Sequence, residues 1–169
     1  MNVKKTIEPI DYRYRYGVGL MVINRSKNIL VGKRIDKRNE CDEKEESWQM
    51  PQGGMKYLEA PHEAAMRELK EEIGTDCVRI VSISNYWYSY DFPEELQKVL
   101  WGGRFFGQTQ KWYLVELLSE EDDINLSDCK NPEFSEWKWT DQESIIKQVI
   151  NFKKDLYKNV LEEFSNFIN

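Results

Sequence analysis

With 169 residues, 32% of them charged, and a net charge of −6, the chain has the size of one domain with its own core. A mean hydropathy of −0.72 and the lack of any long apolar run exclude a membrane-spanning helix. The acidic balance speaks against a protein that tracks along a nucleic-acid backbone.

The first residues, MNVKKTIEPIDYRYRYG, carry lysines but no apolar stretch of the kind a secretory signal needs. Tyr16 to Asn24 and Asn28 to Arg34 are apolar, β-leaning segments on either side of Arg25-Ser26-Lys27, which predicts a hairpin. The run from Asp36 to Glu46, DKRNECDEKEE, holds much of the acidity and reads as a solvated surface loop. Cys41, Cys77 and Cys129 are odd in number and lack CxxC spacing, so reduced cytoplasmic thiols are expected, not metal ligands.

The stretch from Gly53 to Gly74 carries the chemistry. Its glycine pair makes a loop, Pro61 suits a first helical turn and Gly74 a C-terminal stop, so one helix lies between. Ala65, Met66, Leu69 and Ile73 form an apolar stripe for the core. Glu68, Glu71 and Glu72 gather on a neighbouring face, where like charges one turn apart cost roughly 0.2–0.5 kcal/mol per pair. A hard divalent ion with oxygen ligands, Mg2+ or Mn2+, would compensate them and leave coordination places for phosphate oxygens and water. Arg67 and Glu59 can brace the loop against the helix. The only histidine, His62, reads as a surface residue.

Beyond this helix, Val78 to Tyr90, Lys111 to Leu118 and Glu136 to Thr140 are strand-like, with a polar connector from Ser119 to Asn131. Gln142 to Val149 and Phe152 to Phe167 read as helices, the second with Phe152, Leu156, Val160, Phe164 and Phe167 at helical spacing. Trp48, Trp112, Trp137 and Trp139 are assigned to packing. No Pro/Gly/Ser-rich tract divides the chain, so residues 1–169 are expected to form a single domain.

The segment 53–74 resembles the Nudix box, Gly-x5-Glu-x7-Arg-Glu-U-x-Glu-Glu-x-Gly-U with U a bulky aliphatic, through Gly53, Glu59, Arg67, Glu68, Leu69, Glu71, Glu72 and Gly74. Thr75 replaces the final aliphatic, and Tyr57-Leu58 stands where Pro-Gly is frequent. Tyr14-Arg15, Trp48 to Gly54, Gly107 to Trp112, Pro132-Glu133-Phe134, Trp137 to Trp139 and Asn151 to Tyr157 extend the similarity over most of residues 12–164, toward the bacterial RNA pyrophosphohydrolase group and its dinucleoside polyphosphate hydrolase relatives.

The resemblance implies an α/β/α sandwich around a mixed sheet and Mg2+- or Mn2+-dependent hydrolysis with two or more ions. Glu68, Glu71 and Glu72 would be ligands, with the Gln52 carbonyl, and Glu133 a further ligand or proton acceptor. Glu68 is the preferred general base and Glu133 the runner-up. Arg15, Arg34 and Lys153 match positions that contact phosphates or the nucleotide. Arg34 and Phe152 could sandwich a base, with Tyr90 and Gln108 as hydrogen-bonding neighbours. For each such contact a structural role competes: Phe152 in the core, Lys153 in solvent.

The expected reaction removes pyrophosphate from the 5'-triphosphate end of RNA, leaving a 5'-monophosphate and promoting transcript decay. An enzyme that reads only an end needs local positive charge, available in Arg13, Arg15, Lys33, Arg34, Lys111, Lys153 and Lys154. The alternative substrate is a dinucleoside polyphosphate cut to ATP and AMP; a silent nucleotide-sensing domain is a third reading. Neither a membrane nor DNA is an expected partner.

Overall fold

The computed structural model describes residues 3–9, 11–35, 47–128 and 132–168. The charged loop from Asp36 to Glu46, Cys41 and Cys129 lie outside them.

Among the described residues eight strands make one mixed sheet: β1 (Lys4–Thr6), β2 (Tyr14–Ile23), β3 (Ile29–Arg34), β4 (Trp48–Gln49), β5 (Gln52–Gly54), β6 (Val78–Asp91), β7 (Gly107–Leu117) and β8 (Phe134–Thr140). The path runs β1-β6-β7-β2-β3-β4, with β5 paired to β2 and β8 to β3. β2 and β7 are parallel from Tyr14↔Gly107 to Ile23↔Glu116; the other pairings are antiparallel. The β2–β3 hairpin closes on Asn24, whose Oδ1 accepts from the Asn28 amide at 3.0 Å, while Lys27 takes a positive φ of 64°.

Four α-helices among the described residues accompany the sheet: α1 (Pro61–Ile73), α2 (Glu94–Val99), α3 (Gln142–Gln148) and α4 (Lys154–Ile168). Successive side chains of a strand point to opposite faces, so β2, buried on both, divides its apolar residues between two layers. Val18, Leu20 and Val22 join Leu30, Tyr113 and Val115 under α1, through Ala64, Ala65, Leu69 and Ile73. Met21 and Ile23 join Val31, Trp112 and Leu114 under α3 and α4, through Ile145, Leu156, Tyr157, Val160 and Phe164. The result is an α/β/α sandwich.

Two helical stripes differ from expectation. In α1 Met66 is half-buried, while Ala64 and Glu72 face inward; the helix is rolled so that a carboxylate is drawn under the sheet end. In α4 Phe167 is exposed and Ile168 is buried in its place. Phe152 and Lys153 lie in a short 3₁₀ turn that precedes the helix. β1, β4, β5 and α2 are additional elements, all short; β5 takes the glycine pair expected in a loop into the sheet, and α2 buries none of its residues, so it carries no apolar stripe to be read. Among the described residues no helix is long and apolar enough to cross a membrane.

Candidate active site

α1 is fixed at both ends. Pro61 opens it, Glu63 Oε2 accepts from the Ala60 amide at 3.0 Å, and Gly74 closes it in the left-handed region with its N–H on the Lys70 carbonyl. Between these ends the glutamates occupy three different environments.

Glu72 is buried, 3% exposed. Its Oε2 accepts from the Gln52 amide at 2.9 Å, which fastens α1 to β5, and its Oε1 has no hydrogen-bond partner among the described residues. Burial, then the nearby charge of Glu133, pushes its carboxyl well above the usual range. Glu68 is partly buried and accepts at Oε1 from Arg67 Nη1 at 2.7 Å. Burial raises its pKa, Arg67 opposes that, and Glu71 and Glu133 add to it. Glu71 is exposed and shares Arg67 Nη1 at 3.0 Å.

Arg67 ties the loop to the helix. Its Nε and Nη2 reach Glu59 Oε1 and Oε2 at 2.7 and 2.8 Å, and Nη2 also donates to the Gly54 carbonyl at 2.9 Å. This bidentate fork is the strong form of a carboxylate pair. Glu59 also accepts from the Lys56 amide at 2.8 Å. The Arg67 hydrogen bonds, chiefly, hold Glu59 at about 2, below its ordinary 4.5. A depressed carboxyl stabilises the fold above its unfolded pKa and loses that contribution as pH falls through the folded one. The stability gap between the native chain and Glu59→Gln should therefore narrow from about pH 4.5 toward about pH 2. Thermal midpoints across that range check it, and a constant gap would refute the linkage.

Gly53 makes room for Glu68: a Cβ there would collide with the Glu68 carboxyl group. Gly53→Ala should therefore push the carboxylate aside and lower kcat by about 10- to 100-fold, the usual range for disturbed supporting contacts. The thermal midpoint should move little, and a full-rate alanine variant would remove Glu68 from the centre of the site.

The residues expected to meet substrate come from several elements. Arg15, Gln108 and Tyr90 are register partners in one row across β2, β7 and β6. Gln108 Oε1 accepts from the Tyr90 hydroxyl at 2.8 Å and from Gln110 Nε2 at 2.9 Å, and all three are buried. Arg34, exposed, ends β3, and Glu133, exposed, precedes β8, its carbonyl accepting from the Ile35 amide at 2.8 Å. Phe152 stacks on Tyr90 at 6.2 Å and meets Phe92 edge-on at 6.4 Å; its ring carries no cation among the described residues. Lys153 is buried, not solvated, with Nζ on Gln49 Oε1 at 3.1 Å. Burial, with Arg34 adding, pulls its ammonium down to about 7.

Among the described residues no three acidic, imidazole or thiol side chains already stand at metal-ligand spacing; Arg67 bridges Glu68 and Glu71 instead. The donor set nevertheless fits a divalent cation. A buried Glu72 oxygen without a hydrogen-bond partner among the described residues, with Glu68 and Glu133 electrostatically close and Arg34 opposing them, is a concentration of hard acceptors.

The sequence profile of the NUDIX domain family matches residues 13–160. A protein of Rickettsia conorii called RNA pyrophosphohydrolase is 45% identical over 159 residues, 94% of this chain and 94% of its own. One of Wolbachia pipientis with the same name is 42% identical over 158 residues, 94% and 93% of the two chains. Among solved structures, a C. elegans Ap4A hydrolase superposes with a TM-score of 0.60 at 21% identity, covering 92% of this chain and 99% of its own.

Proposed function

The chain belongs to the NUDIX domain family, and from that membership we propose that it is a cytoplasmic, divalent-metal-dependent pyrophosphohydrolase acting on the 5'-triphosphate end of RNA. The observation that carries this reading is the 45% identity, over 94% of both lengths, to proteins called RNA pyrophosphohydrolase. Glu68, Glu71, Glu72 and Glu133, with the Gln52 carbonyl, would hold two or more Mg2+ or Mn2+ ions. When bound, such ions lower the pKa of a water and neutralise charge on phosphate oxygens.

Glu68 takes the proton of the attacking water. One of its oxygens is engaged by Arg67 at 2.7 Å, which fixes the carboxylate, while the other accepts no hydrogen bond among the described residues. Water oxygen bonds to phosphorus as the anhydride bond breaks, pyrophosphate leaves, and a 5'-monophosphate remains on the RNA. Arg15 and Lys153 supply positive charge to the phosphates, and Glu133 is a further ligand or, in place of Glu68, the runner-up proton acceptor. Arg34 and Phe152 receive a nucleobase between a cation plane and a ring, near the hydrogen-bonding pair Tyr90 and Gln108. Phe152→Ala should raise KM about 5- to 100-fold, the scale of one lost base stack, with a smaller effect on kcat. Unchanged saturation would assign Phe152 to the aromatic cluster alone.

The deciding experiment compares kcat/KM with Mg2+ on 5'-triphosphorylated RNA and on diadenosine tetraphosphate. Faster pyrophosphate release from RNA supports this reading. Preference for the dinucleotide, with ATP and AMP as products, replaces it with nucleotide clearance. Absence of any metal-dependent product makes the chain a binding module.

A further inference from the structure

Arg15 is held by an aromatic face. Its side chain packs over Gly54 beside the carboxylate cluster, with Cζ 4.6 Å from the centroid of the Trp101 ring. Among the described residues its guanidinium donates no hydrogen bond and joins no ion pair, although it is largely withdrawn from solvent and feels Glu68 and Glu133. A fork of five donors left unpaired in a partly buried place is costly. A carboxylate partner would have consumed the donors that a phosphate needs. A ring meets the flat face of the guanidinium instead and leaves its N–H edges open.

Trp101 is itself held in an unusual way. Its backbone lies in the left-handed region, φ 48° and ψ 35°, followed by Gly102 at φ 67° and Gly103 at φ 77°. Bulky residues adopt that conformation only where the surroundings impose it. The return in burial is small, since Trp101 remains 45% exposed. The ring is nonetheless anchored, stacked on Phe92 at 5.6 Å and edge-on to Phe105 at 6.2 Å. Phe92 continues to Tyr90 at 5.9 Å, so an aromatic chain links Trp101 to the proposed base-binding side of the site.

We propose that Trp101 is a positioning residue: its ring holds the Arg15 guanidinium by its face, so that the N–H edges stay free for the substrate's phosphate oxygens. This rests on the assignment of Arg15 to the phosphates made above. The strained turn at 101–103 then serves the site, not the core.

The test is a double-mutant cycle on triphosphorylated RNA, with Arg15→Ala, Trp101→Leu and both together, and Trp101→Phe as the conservative variant. Trp101→Leu should lower kcat/KM about 5- to 30-fold, the range of a partly desolvated cation–π contact. Trp101→Phe should recover most of that loss, and in the Arg15→Ala background Trp101→Leu should cost almost nothing more. Equal losses in both backgrounds, or no rescue by phenylalanine, overturn the proposal. An Arg15→Ala variant with full kcat/KM would instead remove Arg15 from the phosphates, and the role of Trp101 with it. Should Trp101→Leu fail to fold, fluorinated tryptophan at 101 keeps the shape and weakens the ring's negative face. A graded fall in kcat/KM supports the proposal, and an unchanged rate overturns it.

Discussion

Glu68→Gln lowers kcat by about 10²- to 10⁴-fold, the contribution of a positioned proton acceptor, while the chain stays folded. The amide is nearly the size of the carboxylate, and its oxygen can still accept from Arg67 Nη1, now at 2.7 Å from Glu68 Oε1. The packing around Gly53 is therefore kept and basicity is what is lost. Single-turnover kinetics with a thermal melt separates the two, since a mutation of the chemical step lowers kcat without a matching loss of stability. Near-normal turnover by Glu68→Gln would sink the assigned mechanism.

Arg67→Ala acts on stability and activity together. It removes the fork from Glu59 at 2.7 and 2.8 Å, the donor to the Gly54 carbonyl and the contacts to Glu68 and Glu71. Breaking a buried pair from one side costs about 3–5 kcal/mol. The Arg67 side chain is 19% exposed and that of Glu59 12%, so the lower end of that range applies. At roughly 2–4 °C per kcal/mol for a chain of this size, the midpoint should fall by about 6–12 °C. Activity should fall as well, because the loop and Glu68 lose their common anchor. Arg67→Lys should recover only part of either loss, since an ammonium cannot reproduce the fork. An alanine variant as stable as the native chain would show the clamp to be redundant.

The frame was readable because its punctuation is local. Pro61 and Gly74 bound α1, and Arg25-Ser26-Lys27 sits at the hairpin turn, since these residues act on their own backbone. Long apolar runs such as residues 18–23 reported strands covered on both faces. Local rules stop where partners are distant in sequence. Three glutamates at helical spacing reveal a shared face; that Glu72 alone is buried depends on the Gln52 amide twenty positions earlier. Lys153 beside Phe152 reads equally well as solvated, and only Gln49, 104 positions away, explains its burial. Trp101 gave no signal toward Arg15, because a cation–ring contact between a strand and a turn 86 positions later leaves no periodicity.

Gly19 on β2 faces Trp112 on β7 as a direct register partner, and a Cβ at 19 would enter the indole. Trp112 is fully buried and meets Tyr157 of α4 edge-on at 5.8 Å. In mutational terms positions 19 and 112 are coupled: the first can be enlarged only after the second is shrunk, and that intermediate would carry a cavity beneath α4.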